Sequence, residues 1–233
     1  MSADYSPLSS WLDRRHPLPP FSKIKGLSPK LEIGGWVALV KRYPIHEASE
    51  IPAQSLSTSW KEHKEYVELA CDLINSDEPG WLDREEVKMI RGELGQPHEA
   101  CLPIYMVTVT TKGREQLVYI GETSSERSRF AGGHAIFSKL HDPKYYRSRK
   151  DIYLCTVMLT TDDEYLPLEW VHPLSSALEL LRSIEAQLIY DLKPELNLQG
   201  KKRHLARKPF VIHIQNFLGH KQFLDDHFSY PIK

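Results

Sequence analysis

Cysteine is scarce: Cys71, Cys101 and Cys155 are odd in number and far apart among 233 residues. That excludes a disulfide framework and a zinc knuckle of paired cysteines, and three reduced, buried thiols are expected. No apolar run approaches the ~20 residues of a membrane span. Residues Met1 to Arg15 lack the basic start and apolar stretch of a signal peptide, so a cytoplasmic protein without a membrane partner is expected. Internal repeats and low-complexity tracts are also missing, and with a net charge of -1 the overall balance names no partner. What is there, 41% hydrophobic and 26% charged residues, describes an ordinary globular chain, long enough for one elaborated domain or two small ones.

The charge is unevenly spread. Residues 1–100 carry 12 basic and 16 acidic side chains, and residues 101–233 carry 18 and 15. The excess in the second part concentrates in two stretches. One holds Lys139, Lys144, Arg147, Arg149 and Lys150 with one acid, Asp142, among them; the other holds Lys201, Lys202, Arg203, Arg207 and Lys208 with none. Clusters of this kind can follow a phosphate backbone, although solvated surface charge is the commoner meaning of any single one.

Five prolines within residues 1–30 remove backbone donors and point to an extended arm after about Leu12. Trp36 to Val40 reads as a strand. Ser59 with Glu62, and Asp83 with Glu86, have the spacing of capping boxes. They predict helices from Ser59 to about Asn75 and from Asp83 to Gly95, so residues 1–100 read as an arm and a mainly helical extension. From Leu102 the texture changes. Ile104–Thr110 and Gln116–Gly121 are β-branched and aromatic, with Gly113 between them, which predicts a hairpin. A helix around Ser125–Leu140, a strand Ile152–Leu159 and a helix Ser176–Lys193 follow. The expected class is α+β, with a small three-stranded antiparallel or mixed sheet flanked by helices over residues 101–199 and a basic extension over residues 200–233. His213, His220 and His227 recur every seven residues, but Gly219 interrupts a helix there and no cysteines exist to share zinc.

Several residues could carry chemistry. On the last helix Leu178, Leu181, Leu188 and Leu192 form an apolar seam, and Glu185 occupies its middle position, where a carboxylate would point at the core. Such a group is either a structural ion pair or a ligand or acid in a cleft. Alternation groups Tyr105 with Val107 and Val109, and Tyr119 with Leu117 and Gly121. The two rings would then face each other across the hairpin, packing or addressing a ligand. Gly121 would admit close approach of a substrate. Beyond it, Arg127 and Arg129 could fork onto a phosphate, and His134 is the nearest base that titrates near neutral pH.

Together these residues resemble the GIY-YIG nuclease superfamily, in particular its restriction-endonuclease-like and homing-endonuclease-like members. Pro103-Ile104-Tyr105 stands for the first tripeptide, with proline in place of glycine, and Tyr119-Ile120-Gly121 is the second, intact. The family's helix arginine falls on Arg129, with Arg127 as runner-up, its metal-binding glutamate on Glu185 and its asparagine on Asn197. The histidine that often follows the arginine by four residues is displaced by one, since Gly133 holds that place and His134 comes next. The resemblance spans about residues 102–199.

The resemblance implies a divalent-metal-dependent endonuclease that hydrolyses phosphodiester bonds, with Mg²⁺ or Mn²⁺ bound through Glu185, waters and substrate. Arg129 would hold the scissile phosphate, Asn197 would shore up the site, and Tyr105, Tyr119 or His134 would activate water. Duplex DNA is the favoured partner and a restriction or defence role the favoured setting; RNA or a single strand stays open. Cutting both strands with one site per chain would call for a homodimer. A nucleic-acid-binding protein on the same scaffold is the reading from outside enzymology.

Overall fold

The computed structural model describes residues 5–18, 33–51, 55–123, 135–160, 165–219 and 223–231. A single helical turn, α1 (Ser9–Leu12), buries Trp11 and Leu12. Strand β1 (Gly34–Pro44) follows, then α2 (Leu56–Leu73) and α3 (Arg84–Leu94). Asp83 and Glu86 close the reciprocal cap of α3 as the spacing predicts, and Gly95 ends it at φ 74°. Helix α2 starts three residues earlier than expected. Extended Ser55, not Ser59, accepts from the Thr58 amide at 3.1 Å, and Ser59 lies buried within the helix.

The hairpin is β2 (Ile104–Thr111) and β3 (Arg114–Glu122). Its two-residue turn, Lys112-Gly113, takes positive φ at both positions, 52° and 80°, the primed geometry whose twist suits a hairpin. After it come α4 (Ala135–Lys139), β4 (Arg149–Thr160), β5 (Tyr165–Pro167), α5 (Leu174–Leu192), β6 (Ile212–Asn216) and β7 (Asp226–Ser229). Left-handed Lys193 and then Pro194 end α5.

The sheet is larger than the three strands expected. Its order is β3-β2-β4-β1-β6-β7, with β5 beside the end of β4, seven strands in all among the described residues. Strand β1 runs antiparallel to β4 and parallel to β6. The N-terminal part is therefore not mainly helical. Val37 and Leu39 are buried on one face of β1 while Ala38 and Val40 are buried on the other, and a strand covered on both faces belongs inside a sheet. The tail adds β6 and β7, so strands from all three expected spans share one sheet. His213 and His227 sit on these strands, where a period of seven has no helical meaning; His220 lies outside the described residues.

Two cores flank the sheet. One is closed by α5, through Leu180, Leu181, Ile184 and Leu188 against Ile104, Met106 and Ile120. On the opposite face Tyr105, Val107, Ile152 and Leu154 pack beneath Ile136 and Leu140. A third cluster joins α1, α2 and α3 around Trp11, Tyr66 and Trp170. Among the described residues no helix is long and apolar enough to cross a membrane.

Candidate active site

The hairpin brings the two motif tyrosines together. Tyr105 lies directly opposite Gly121. A Cβ on Gly121 would sit 2.4 Å from Cζ and Oη of Tyr105, so the ring can cross β3 only because that position has no side chain. The Tyr105 and Tyr119 ring centroids are 5.9 Å apart at 32°. Tyr105 is fully buried and Tyr119 half-buried.

Simple alternation does not explain the pair. Val107 faces Tyr119 but Thr108 faces Leu117, so Val118 is an extra residue in β3. Such a bulge shifts the alternation by one. Leu117 consequently packs with the α5 core, whereas Val118 and Tyr119 stay on the face of Tyr105. The expected grouping of Tyr119 with Leu117 is corrected accordingly.

Asn197 is buried and holds the second tripeptide in place. Its Oδ1 accepts from the Ile120 amide and its Nδ2 donates to the Ile120 carbonyl, both at 2.9 Å. The Leu196 amide donates to the Val118 carbonyl at 2.8 Å. The segment leaving α5 is thereby stitched to β3 on either side of Tyr119. At the strand entry, Pro103 keeps its acceptor role by receiving the Thr123 amide at 2.8 Å.

Glu185 differs from expectation. The centre of the buried stripe of α5 is Leu181, Ile184 and Leu188; Leu178 and Leu192 are only partly buried, and Glu185 is half-buried at the stripe's margin. The stripe that meets the sheet is centred on Ile184, and at about 100° per residue Glu185 lies about a quarter-turn round the helix from it, which leaves the carboxylate at the edge of the core. Arg129, Arg127 and His134 lie outside the described residues, as does the start of the helix expected around Ser125.

Basic side chains from both clusters converge on Glu195 and Leu196, the two residues before Asn197. Lys139 Nζ donates to the Leu196 carbonyl at 3.2 Å, Lys201 Nζ donates to the Glu195 carbonyl at 2.7 Å, and Lys144 pairs with the Glu195 carboxylate. Tyr145 donates to the same carboxylate at 3.2 Å. The hydrogen bond from Lys144 lowers the Glu195 pKa, while burial and then the Glu195 charge raise that of Tyr145. Neither Glu195 nor Tyr145 is among the residues the sequence singles out for a role: Glu195 stands in the run Lys193-Pro194-Glu195-Leu196-Asn197 with nothing but its closeness to Asn197 to mark it, and Tyr145 has no such signal.

The rest of the two clusters divides. Arg149 binds buried Asp151 at 2.9 Å, as Arg42 does at 2.8 Å; Lys208 pairs with Glu179 at 3.1 Å; Lys150 donates to the Tyr145 and Ser148 carbonyls. Arg147, Lys202, Arg203 and Arg207 are exposed and make no ion pair among the described residues. Their charge is available to a polyanion.

Among the described residues no group of three or more His, Cys, Asp or Glu side chains is placed to hold a metal ion. One half-buried carboxylate, Glu185, suits a hard cation that keeps most of its waters, and only such a cation. Comparison with protein-family models, with curated proteins and with solved structures finds no match for this chain.

Proposed function

We propose that the protein is a divalent-metal-dependent endonuclease that hydrolyses phosphodiester bonds in duplex DNA. The observation that carries this reading is the tyrosine pair, seated over Gly121 and tied through Asn197 to a segment where three lysines from two distant clusters meet. A ring laid over a strand glycine is also a packing device, so what supports a site here is the polar, cationic rim beside the pair.

Tyr119, the more accessible ring, orients the attacking water; Tyr105, enclosed beneath it, holds Tyr119 in place. Asn197 fixes the peptide of Ile120 between Tyr119 and Gly121. Lys139 and Lys201, which donate to carbonyls and keep their charge uncompensated there, give the rim a positive field, Lys144 being paired with Glu195. Arg147, Lys202, Arg203 and Arg207 follow the phosphates further out. Glu185, on the helix that packs against β3 from the other face of the sheet, would hold Mg²⁺ or Mn²⁺, which when bound supplies charge stabilisation at the phosphoryl oxygens. Arg129 and His134 keep the roles the family resemblance implies, phosphate clamp and assisting base. A single-strand or structure-specific nuclease is the second reading, favoured by the exposed rings of Tyr165, Phe217, Phe228 and Tyr230, on which unpaired bases could stack.

The test is incubation of the purified protein with supercoiled plasmid, linear duplex, single-stranded DNA and RNA, with Mg²⁺ or with EDTA, beside Glu185→Ala. Duplex cutting that disappears with EDTA and with the variant is expected. Salt-sensitive binding without cutting of any substrate would replace the enzyme by a binding protein.

A further inference from the structure

A cavity of about 1130 Å³ opens at the other end of the sheet, where β1, β4, β5, β6 and β7 meet α1. Its walls are rich in rings, among them Trp36, Tyr165, His213 and Phe228. Trp36 meets Tyr165 edge-on at 6.3 Å, and His213 stacks on Phe228 at 4.2 Å with the planes 3° apart. Tyr165 is 68% exposed and Phe228 44%, which is a large aromatic area to leave in water.

Tyr5, Ser10, His16 and Thr160 also line the cavity, and two further polar groups on its wall are held in place. Trp36 Nε1 donates to Gln215 Oε1 at 2.9 Å, which fixes the amide and leaves its NH₂ as a donor. His213 Nε2 meets Asp226 Oδ1 at 2.5 Å, which fixes the ring. Flat walls with one oriented amide recognise a planar heterocycle by stacking and by its edge acceptors.

The cavity shares a sheet face with the tyrosine pair. Tyr105 lies opposite Leu154, Met158 lies opposite Trp36, Trp36 opposite His213, and His213 opposite Phe228. Paired residues point to the same side, and Leu154 and Met158 differ by an even number of positions, so Trp36, His213 and Phe228 face as Tyr105 does. Two strand spacings of about 4.8 Å and four residues at about 3.3 Å put Trp36 ~16 Å from Tyr105. That is the reach of about five base-pair steps at 3.4 Å.

We infer that this cavity receives one unpaired nucleobase of the nucleic acid whose backbone is cut at the tyrosine pair. The inference rests on the nuclease reading for the identity of the ligand and for the spacing. A base drawn out of the stack would lie between Tyr165 and the His213–Phe228 pair, with its edge on the Gln215 amide. The protein would thus read a position several nucleotides from the bond it breaks.

Affinities are measured in EDTA, so that binding is seen without cutting. The probes are a single-stranded oligonucleotide carrying 2-aminopurine and an abasic strand of equal length. The intact strand is expected to bind at least about tenfold more tightly and to lose fluorescence as its base stacks. Tyr165→Ala and Phe228→Ala, each checked by thermal melting, should each weaken the intact strand about tenfold and leave the abasic strand unchanged. Equal affinity for the two strands, or equal loss on both in folded variants, overturns the inference. So does a concentration-dependent dimer abolished by Tyr165→Ala, which would give this face to a second copy. Plasmid cutting by the wild type without base preference removes the cavity's role alone. Base preference without cutting leaves the cavity standing and removes the nuclease reading.

Discussion

Glu169 and His63 should make stability nearly flat with pH by opposing each other, and replacing Glu169 should expose the slope. Both are buried near Trp170, whose Nε1 donates to His63 Nδ1 at 3.2 Å. Glu169 Oε1 accepts from the Cys101 amide at 2.9 Å, but Oε2 is buried with no hydrogen-bond partner among the described residues. Burial pushes this carboxyl from 4.5 up to about 7 and pulls the His63 imidazole from 6.5 down to about 4. A raised carboxyl pKa contributes stability that is fully present below pH 4.5 and is lost as pH climbs through about 7. The depressed imidazole does the reverse: its contribution is present above pH 6.5 and is lost as pH falls through about 4. From pH 8 to pH 5 the first effect adds about 2 to 3 kcal/mol and the second removes about 2 kcal/mol, at 1.36 kcal/mol per unit.

Glu169→Gln keeps the acceptor for Cys101 and cannot ionise. Urea unfolding of both proteins at about pH 5, 6, 7 and 8 is the assay. The variant should lose about 2 kcal/mol from pH 8 to pH 5 while the wild type changes by less than about 1 kcal/mol. The slope is the readout because the added NH₂ carries its own desolvation cost, which is independent of pH. Parallel profiles for the two proteins would refute the reasoning, since Glu169 would then be ionised in both states.

Gly121→Ala should cost about 1 to 3 kcal/mol in urea unfolding through the Tyr105 clash, and Tyr105→Leu in the same chain should recover most of it. Asn197→Ala should lose about 1 to 3 kcal/mol because two buried backbone groups of Ile120 lose their partner; a loss under about 0.5 kcal/mol would mean that water replaces the amide. If duplex DNA lies along the basic rim, Arg147→Ala and Lys202→Ala should each flatten the log–log salt dependence of binding by about 0.9. Arg149→Ala, whose charge is already engaged by Asp151, should flatten it by less. Glu185→Gln should abolish metal-dependent cutting and leave the affinity for DNA in EDTA within about twofold.

Local chemistry was legible in the sequence and long-range pairing was not. Asp83, Glu86 and Gly95 bound α3 through contacts within a few residues, and Lys112-Gly113 likewise sets the hairpin. Ser55 and Ser59 are equivalent as text; what separates them is which one is extended and free to cap the helix. The Val118 bulge leaves no compositional trace, so the tyrosine pair could be anticipated but its alternation could not. Glu185 shows the same limit for helices, because spacing locates a stripe but not the angle at which a neighbouring sheet meets it. The partners of β1 lie at β4 and β6, beyond any local window, which is why one strand among helices looked like an appendage.

The parallel pairing of β1 with β6 also constrains how the chain is made. Gly35 pairs with Ile212, 177 positions later (212 minus 35). During synthesis β1 can join β4 once that strand has emerged, but its other edge stays open until β6 arrives. At about 5 to 20 residues per second, the stretch between Thr160 and Asn216 takes about 3 to 11 s to appear. For that interval a strand apolar on both faces is exposed to other nascent chains. Expression should therefore be sensitive to temperature and to chaperone supply, and a version ending before Ile212 should accumulate in the insoluble fraction even though every motif residue is present.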